Sequence, residues 1–274
     1  MNWTIAGLDL SKHDDQHQTL PHAVTAKARN YREGETPPHS HPRAQLVYAG
    51  SGVMRVETEA GCWVVPPVRG VWIPAHTVHK VIMLGPVQMR TLYIRQDAAP
   101  GLPDACCLIE VSPLLRALIL ALVEEPLDYD RAGRAGQIAA LVLSELRFLK
   151  VPALHLPMPS EPRLQRLCAE LVANPDSRET LETLAGQQAT SSRTLARQFQ
   201  RETGMSFGRW RQQARLVEAL GHLANGMPVA RVADKLGYRS ASAFAAMFRR
   251  TLGIEPRRYF SDGQAAENDP SGNA

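Results

Sequence analysis

The chain has 274 residues, 44% of them hydrophobic, with 31 Lys and Arg residues against 27 Asp and Glu. This length and apolar content exclude a disordered tail or a fibre, and they suffice for about two globular domains of about 100 to 200 residues each. The longest uncharged apolar stretch, Ala117 to Val123, is far shorter than the roughly 20 residues that cross a bilayer. The N-terminal residues lack the basic and apolar regions of a secretion signal. The sequence thus predicts a cytoplasmic protein that does not enter a membrane.

The cysteine pattern agrees with that compartment. Cys62, Cys106, Cys107 and Cys168 have neither the paired spacing of metal ligands nor the spacing of a disulfide framework. We expect all four to be reduced thiols.

The net charge of +4 is unevenly distributed along the chain. Residues 1–160 hold 15 basic and 15 acidic residues, residues 161–260 hold 16 and 9, and residues 261–274 hold none and 3. Fifteen of the sixteen cations in 161–260 are arginine, whose planar guanidinium donates hydrogen bonds in pairs and suits phosphates and base edges. Charge alone leaves two interpretations open, a nucleic-acid surface and an ordinary solvated basic face.

Short apolar runs separated by Gly and Pro predict an antiparallel β structure in the first hundred residues. The turn signals recur every eight to twelve residues, a spacing typical of a sandwich or a barrel. The predicted strands are QLVYAG (45–50), GVMRVETE (52–59), CWVVPP (62–67), GVWIPA (70–75), HKVIML (79–84) and QMRTLYIR (88–95).

Two helices are predicted after the strands. Ser112 is a suitable N-cap with Pro113 at the first helical position, and a second helix is expected from about Arg134 to Lys150. The apolar stripe of that second helix is Ile138, Leu141, Val142, Leu146 and Leu149. Such helices can pair two chains or pack back on their own β domain, and the sequence leaves both open.

A repeat in the basic segment predicts two helix-turn-helix units. LETLAGQQATSSRTLARQFQRETG aligns with VARVADKLGYRSASAFAAMFRRTLG, and a helix at 207–223 joins them. In each unit the second helix, 191–203 or 240–252, opens on a serine N-cap and ends at a glycine. The pairs Leu195/Phe199 and Phe244/Phe248 have the i, i+4 spacing of core residues. An all-α interaction module without DNA contact is the alternative.

The segment 165–260 resembles the DNA-binding domain of the AraC/XylS family of bacterial transcription regulators. The motifs that carry the resemblance are SSRTLARQFQRETGMSFGRW, RQQARLVEALGHL and ADKLGYRSASAFAAMFRRTLGIEPRRYF. The resemblance implies that double-stranded DNA is bound by two recognition helices, with the positions around the core Leu of the first one reaching bases. The residues expected to contact DNA are Ser192, Arg193, Ala196, Arg197, Gln198, Arg201, Ser240, Ser242, Ala245, Ala246, Arg249 and Arg250.

The second unit departs from the family pattern. Ser242, Ala245 and Ala246 are too short for bidentate base contacts, so we expect the first helix to supply most of the base readout. Arg249, Arg250 and the N-terminus of the helix at 240–252 are expected to hold phosphates.

Three histidines in the β region form a candidate site. His39 and His41 are expected on one strand and on one face of it, and His79 on a neighbouring strand. Two imidazoles and a third from a neighbour can enclose a transition metal, line a polar effector pocket, or merely hydrogen-bond one another. Their order resembles the two motifs of the cupin barrel, with Gln45 where the fourth ligand is usually Glu and His76 where a Gly is usual. A divalent metal therefore stays one option among these.

The expected fold class is α+β with two domains, a cupin-like antiparallel β-barrel with trailing helices and an all-α domain with two helix-turn-helix units. The expected boundaries are 1–108 for the sensor domain, 109–150 for a helical pairing segment, 151–162 for a Pro-rich linker, 163–260 for the DNA-binding domain and 261–274 for a disordered tail.

The expected function is that of a ligand-responsive transcription regulator and not of an enzyme. Its expected partners are double-stranded DNA, a small-molecule effector, a second copy of the chain and, if it activates transcription, RNA polymerase. The alternative is a metal-dependent cupin enzyme, a dioxygenase or isomerase, with an accessory helical domain. The sequence names neither the effector nor the operator.

Overall fold

A computed structural model describes residues 16–67, 69–98, 101–149 and 155–259. The chain divides into two compact units, one formed by Met1–Thr58 and Val65–Val151 and the other by Glu59–Val64 and Pro152–Ala274. We call the first the β unit and the second the helical unit. The predicted tail 261–274 and the first part of the predicted linker, 151–154, lie outside the described residues. The domain boundaries expected from the sequence stay predictions.

The β unit is built from two antiparallel sheets. The strands of the chain are β1 Val24–Tyr31, β2 Gly34–Glu35, β3 Ala44–Ala49, β4 Met54–Thr58, β5 Gly61–Val65, β6 Arg69–Ile73, β7 His79–Met83, β8 Val87–Ile94, β9 Cys107–Glu110, β10 Arg147–Leu149 and β11 His155–Pro157. One sheet of the β unit has the order β1-β8-β3-β6-β9-β10, and the other contains β4, β7 and β2 as neighbours. The first sheet ends at β1 and β10, so the described strands do not close it into the expected barrel. Turn spacing predicts short strands but does not specify which distant strands pair.

All six predicted strands are present, as β3 to β8. The predicted helix from Arg134 to Lys150 is shorter than expected and ends at Glu145. Leu146 adopts extended backbone, and β10 pairs with β9 so that Arg147 lies opposite Glu110. The Phe148 ring then meets the Trp72 ring edge to face at 5.9 Å. Pairing and ring packing at this sheet edge replace the last turn of the predicted helix.

Two helices, α1 Pro113–Val123 and α2 Arg134–Glu145, pack on the six-stranded sheet. The Ser112 hydroxyl caps α1 by accepting a hydrogen bond from the Leu115 N–H at 3.0 Å. The core between helices and sheet contains Leu46, Tyr48, Trp72, Leu92, Ile94, Leu115, Ile119, Ala139 and Val142. Of the two uses left open, packing on the chain's own sheet is therefore realised. Leu114 and Leu141 nevertheless stay 52% and 50% exposed, although Leu141 belongs to the predicted apolar stripe.

The helical unit contains six helices among its described residues. They are α3 Pro162–Ala173, α4 Leu181–Gln187, α5 Ser192–Thr203, α6 Phe207–Ala224, α7 Val229–Lys235 and α8 Ala241–Leu252. The helices α4 and α5 form the first predicted helix-turn-helix unit, and α7 and α8 form the second. The joining helix α6 has 18 residues, a length of about 27 Å at about 1.5 Å per residue. The two-domain α+β prediction is confirmed.

The described part of the predicted linker, residues 155–162, begins with a paired strand. The strand β11 pairs antiparallel with β5, and the His155 ring stacks on the Trp63 ring at 4.5 Å. The buried Trp210 of α6 donates from Nε1 to the Pro157 carbonyl at 2.7 Å. Pro162 then occupies the first turn of α3, where its missing N–H costs nothing. These contacts are made within the helical unit.

No described helix combines the length and apolar composition needed to cross a bilayer.

Candidate functional site

The helix α5 is fixed at both ends and along its buried face. The Ser191 hydroxyl accepts a hydrogen bond from the Thr194 N–H at 3.1 Å, and Gly204 ends the helix in the left-handed region with φ 69°. Leu195 and Phe199 are 1% and 0% exposed. Because these two residues face the core, the opposite side of α5 is presented to solvent.

That outward side of α5 is rich in arginine. Arg193, Arg197 and Arg201 are exposed, whereas Ala196 and Gln198 are half-buried. Arg201 makes one ion pair along the helix, with Glu202 at 3.2 Å. An open groove of about 850 Å³ runs beside this side. Its lining includes Ala196, Arg197, Gln198, Arg201 and Ser206. Five of the six positions predicted on α5 thus face solvent or this groove, and the sixth, Ser192, is half-buried in the first turn.

The helix α8 has the same serine cap, terminal glycine and buried i, i+4 pair as α5, but its exposed side chains differ. The Ser240 hydroxyl accepts from the Ala243 N–H at 3.1 Å, and Phe244 and Phe248 are fully buried. Ser242 and Ala246 are exposed and Ala245 is half-buried, so the first two turns present only short side chains. Arg249 and Arg250 are exposed in the last turn, where Arg249 pairs with Glu255 at 3.2 Å.

Two arginines of α6 serve the fold. Arg215 donates from Nε to the Pro175 carbonyl at 2.7 Å and from Nη2 to the Ser177 carbonyl at 3.0 Å. Arg211 donates to the Glu179 carbonyl. The Arg215 guanidinium also lies over the Tyr238 ring, and that of Arg211 lies over the Phe207 ring, each at 5.8 Å from the ring centroid. A count of basic residues could not separate these internal contacts from a DNA-facing surface.

The three histidines of the β unit come together. The ring centroids of His39 and His79 are 4.4 Å apart, those of His39 and His41 are 4.8 Å apart, and those of His41 and His79 are 5.4 Å apart. His39 and His79 exchange two backbone hydrogen bonds of 2.9 Å as an isolated bridge. The expectation that His39 and His41 share a strand is wrong, because Pro37, Pro38 and Pro42 lack the N–H groups that a ladder needs.

The protonation of two of these rings follows from their partners. His39 and His79 each place Nδ1 2.8 Å from a backbone carbonyl, that of Pro37 and that of Thr77. A carbonyl only accepts, so each Nδ1 carries a proton, and in the neutral form of each ring the lone pair is on Nε2. Burial is the main cause that lowers the pKa of His79 to about 4, against the hydrogen bond to Thr77 and with help from His39. Burial, then His39, His79 and Lys27, lowers the pKa of His41 to about 3. The rings of His41 and His79 are therefore neutral near pH 7.

Polar residues from the six-stranded sheet surround the histidines. Gln45 is paired with Tyr93, whose ring lies 5.1 Å from that of His41. The side-chain oxygens of Gln45 and Thr91 are buried with no hydrogen-bond partner among the described residues. Lys27 lies opposite Thr91, and burial followed by repulsion from Arg29 lowers the pKa of Lys27 to about 8.

Sequence reasoning missed β1 and therefore missed Lys27 and its neighbours. The signal was present, because VTAKARNY alternates apolar or small residues with longer polar ones, as a half-buried strand does.

Comparison with known proteins gives two family profiles. The profile described as an AraC-like ligand binding domain matches residues 21–185, and one described as a helix-turn-helix domain matches residues 184–262. The first spans the strands β1 to β11, and the second begins within the first helix-turn-helix unit.

Relatives among characterised proteins agree. The chain is 35% identical over 240 residues to the HTH-type transcriptional regulator NimR of Escherichia coli K12, a match that covers 86% of this chain and 88% of NimR. It is 37% identical over 137 residues to the HTH-type transcriptional regulator RipA of Corynebacterium glutamicum, covering 50% of this chain and 40% of RipA.

A solved structure of ToxT from Vibrio cholerae matches 86% of this chain and 94% of ToxT at 10% identity and a TM-score of 0.37. The family profile and the extent of the NimR match establish that the chain belongs to the AraC family of transcriptional regulators, with a ligand-binding domain followed by a DNA-binding helix-turn-helix domain.

Proposed function

We propose that this regulator reads DNA bases chiefly with α5. The observation that carries the proposal is the exposure of Arg193 and Arg197 on one side of a capped helix whose other side is buried. Arginine is the side chain that most often makes bidentate contacts to guanine in the major groove. Arg201, Gln198 and Ser192 lie along the same helix and extend the contact toward the backbone.

The helix α8 contributes mainly phosphate contacts. Its outward side chains in the first two turns, Ser242, Ala245 and Ala246, are too short to discriminate bases in pairs of hydrogen bonds. Its N-terminal N–H groups at Ser240 and the exposed Arg249 and Arg250 suit phosphate oxygens. A division of labour follows, in which α5 supplies sequence preference and α8 supplies affinity that is independent of sequence.

Arg250→Ala tests that division. The variant should weaken binding to a selected duplex and to a scrambled duplex by the same factor, and it should reduce the slope of log K against log salt by about 0.9, the value for one phosphate contact. The measurement is fluorescence anisotropy of the full-length protein on duplexes that it selects from a random library, at several salt concentrations. Arg163→Ala, an exposed arginine of α3, is the charge-matched control. Binding without salt dependence would contradict DNA recognition itself, and a loss confined to the selected duplex would contradict the phosphate role.

The proposed sensor is the β unit. A small-molecule effector binds near His39, His41, Gln45 and His79, where neutral imidazoles and unpartnered buried oxygens offer hydrogen-bonding groups. The effector stabilises one state of the protein over another and so changes its DNA affinity. Four free cysteines and a chromosomal target are consistent with action in the cytoplasm. RNA polymerase is a further partner if the regulator activates transcription.

The proposed assembly is a homodimer formed through α1 and α2. These adjacent helices expose Leu114 and Leu141, and only Val78 among the other described large apolar residues is as exposed. A double substitution to aspartate at Leu114 and Leu141 should convert the dimer to a monomer in analytical ultracentrifugation without lowering the thermal stability of the chain. Val78→Asp, which changes an equally exposed residue outside the helices, should leave the dimer intact. A wild-type monomer, or an unchanged dimer in the double variant, would contradict this assembly.

The enzyme alternative is not favoured. NimR, which matches most of the chain, and RipA, which matches half of it, are both named as transcriptional regulators.

A further inference from the structure

The three histidines of the β unit have an arrangement that DNA binding does not use. We propose that His39, His41 and His79 bind one late first-row transition metal ion, Zn²⁺, through their Nε2 atoms. The proposal concerns the β unit alone, so it stands or falls separately from the DNA-binding surface.

The distances suit one shared ion. One ligand nitrogen from each of the three rings lies within 4.8 Å of the others. Two imidazole nitrogens bound to one tetrahedral Zn²⁺ at about 2.0 to 2.1 Å are about 3.4 Å apart. Binding one ion therefore requires the three rings to move closer together by rotation about χ1 and χ2. The backbone bridge between His39 and His79 holds two of the three residues in register while this happens.

The hydrogen bonds orient the rings as ligands. A metal-binding histidine commonly donates its other ring N–H to a carbonyl or carboxylate, which fixes the tautomer and directs the lone pair at the ion. His39 and His79 make this hydrogen bond to the carbonyls of Pro37 and Thr77. Their Nε2 atoms both carry lone pairs, so these two rings cannot hydrogen-bond to each other through Nε2. An ion placed between them satisfies both.

Two of the proposed ligand atoms are buried and lack a hydrogen-bond partner among the described residues. His41 and His79 are 7% and 2% exposed, and the Nε2 atom of each is buried with no hydrogen-bond partner among the described residues. Leaving a buried polar atom unpaired costs about 1 to 3 kcal/mol. The Gln45 oxygen, which is also buried and unpartnered, lies on the sheet face that carries Tyr93, against the ring of His41. Three buried atoms, Nε2 of His41, Nε2 of His79 and the Gln45 oxygen, thus lack a partner. One cation would bind the two nitrogens, and a water on that cation could donate to the oxygen.

The donor set selects the class of metal. Neutral imidazoles suit zinc, copper, iron and nickel, whereas magnesium, calcium and manganese prefer carboxylate and carbonyl oxygen. The cluster contains no carboxylate among the described residues. Three imidazoles leave a fourth position on a tetrahedral ion, which water or the effector itself occupies.

The test uses the full-length protein purified without a metal-affinity step and stripped with chelator. Isothermal titration with Zn²⁺, and the visible absorption of Co²⁺ as a spectroscopic probe, are measured on the wild type, His41→Gln, His79→Gln and His76→Asn. His76 is the matched control, because it is exposed, lies three residues before His79 and has φ 62°, which asparagine tolerates. His39→Gln, at the half-buried member, is the second choice should either buried variant fail to fold by circular dichroism.

We expect one Zn²⁺ per chain with a Kd of about 1 μM or tighter for the wild type and His76→Asn. Each folded ligand variant should bind at least about 100-fold more weakly, since even the loss of a group that only hydrogen-bonds to a metal ligand costs about 10- to 100-fold. Absence of Zn²⁺ binding by the wild type would overturn the proposal, as would equal affinity in the ligand variants, which would move the site to the cysteines. Salt-dependent duplex binding, measured on the same samples, reports separately on the proposed function.

Discussion

Replacing Arg193 and Arg197 together by alanine should lower affinity for a selected duplex by about 30-fold to 10⁴-fold, because each bidentate arginine contact to a base is worth about 1 to 3 kcal/mol. Affinity for a scrambled duplex should fall much less, since only nonspecific charge is lost there. The two arginines are four residues apart on α5, so they occupy one side of the helix.

The decisive measurement is the ratio of the two affinities, accompanied by footprinting of the selected site. Arg163→Ala combined with Arg166→Ala removes the same charge from exposed positions of α3 and should leave the ratio unchanged. A wild-type footprint from the Arg193/Arg197 double variant would show that α5 does not read bases. In that event α8 would be the next candidate for the readout, although its outward residues in the first two turns are serine and alanine.

The contrast between the two recognition helices was visible in the sequence because its causes are local. Serine caps, terminal glycines and i, i+4 pairs of apolar residues determine which side of a helix is buried, and all of these act within a dozen residues. The outward position of Arg197 therefore followed from the buried positions of Leu195 and Phe199. The internal roles of Arg211 and Arg215 did not follow, because their carbonyl partners lie 32 and 38 to 40 residues earlier in the chain.

In the β unit, the features that could not be predicted from the sequence depend on pairing between distant strands or on an irregular backbone. Apolar runs predicted β3 to β8, yet the edge strand β10 depends on pairing with β9, whose residue Glu110 is far from Arg147 in sequence. Histidine type and spacing predicted the cluster, but the carbonyl partners of His39 and His79 depend on a proline-interrupted backbone that no periodicity describes. Lys27 joins the site only because β1 pairs with β8.

Phe199→Ala should lower the free energy of unfolding of the helical unit by about 3 to 5 kcal/mol, the range for removing a buried aromatic ring. Phe199 is fully buried, and its ring meets those of Phe207 and Trp210 edge to face, each at 5.5 Å. Truncation removes both ring contacts and leaves a cavity between α5 and α6 that these rigid neighbours cannot fill.

The change should appear as a lower urea midpoint in equilibrium unfolding followed by tryptophan fluorescence, to which Trp210 contributes. Gln200→Ala, the exposed neighbour on the same helix, is the control and should unfold with the wild type. Phe199→Leu keeps an apolar side chain and should lose less stability than alanine. Because α5 carries Arg193 and Arg197, Phe199→Ala should also weaken duplex binding at temperatures where the helical unit begins to unfold. Equal midpoints for Phe199→Ala and Gln200→Ala would mean that this aromatic cluster does not hold the recognition helix in place.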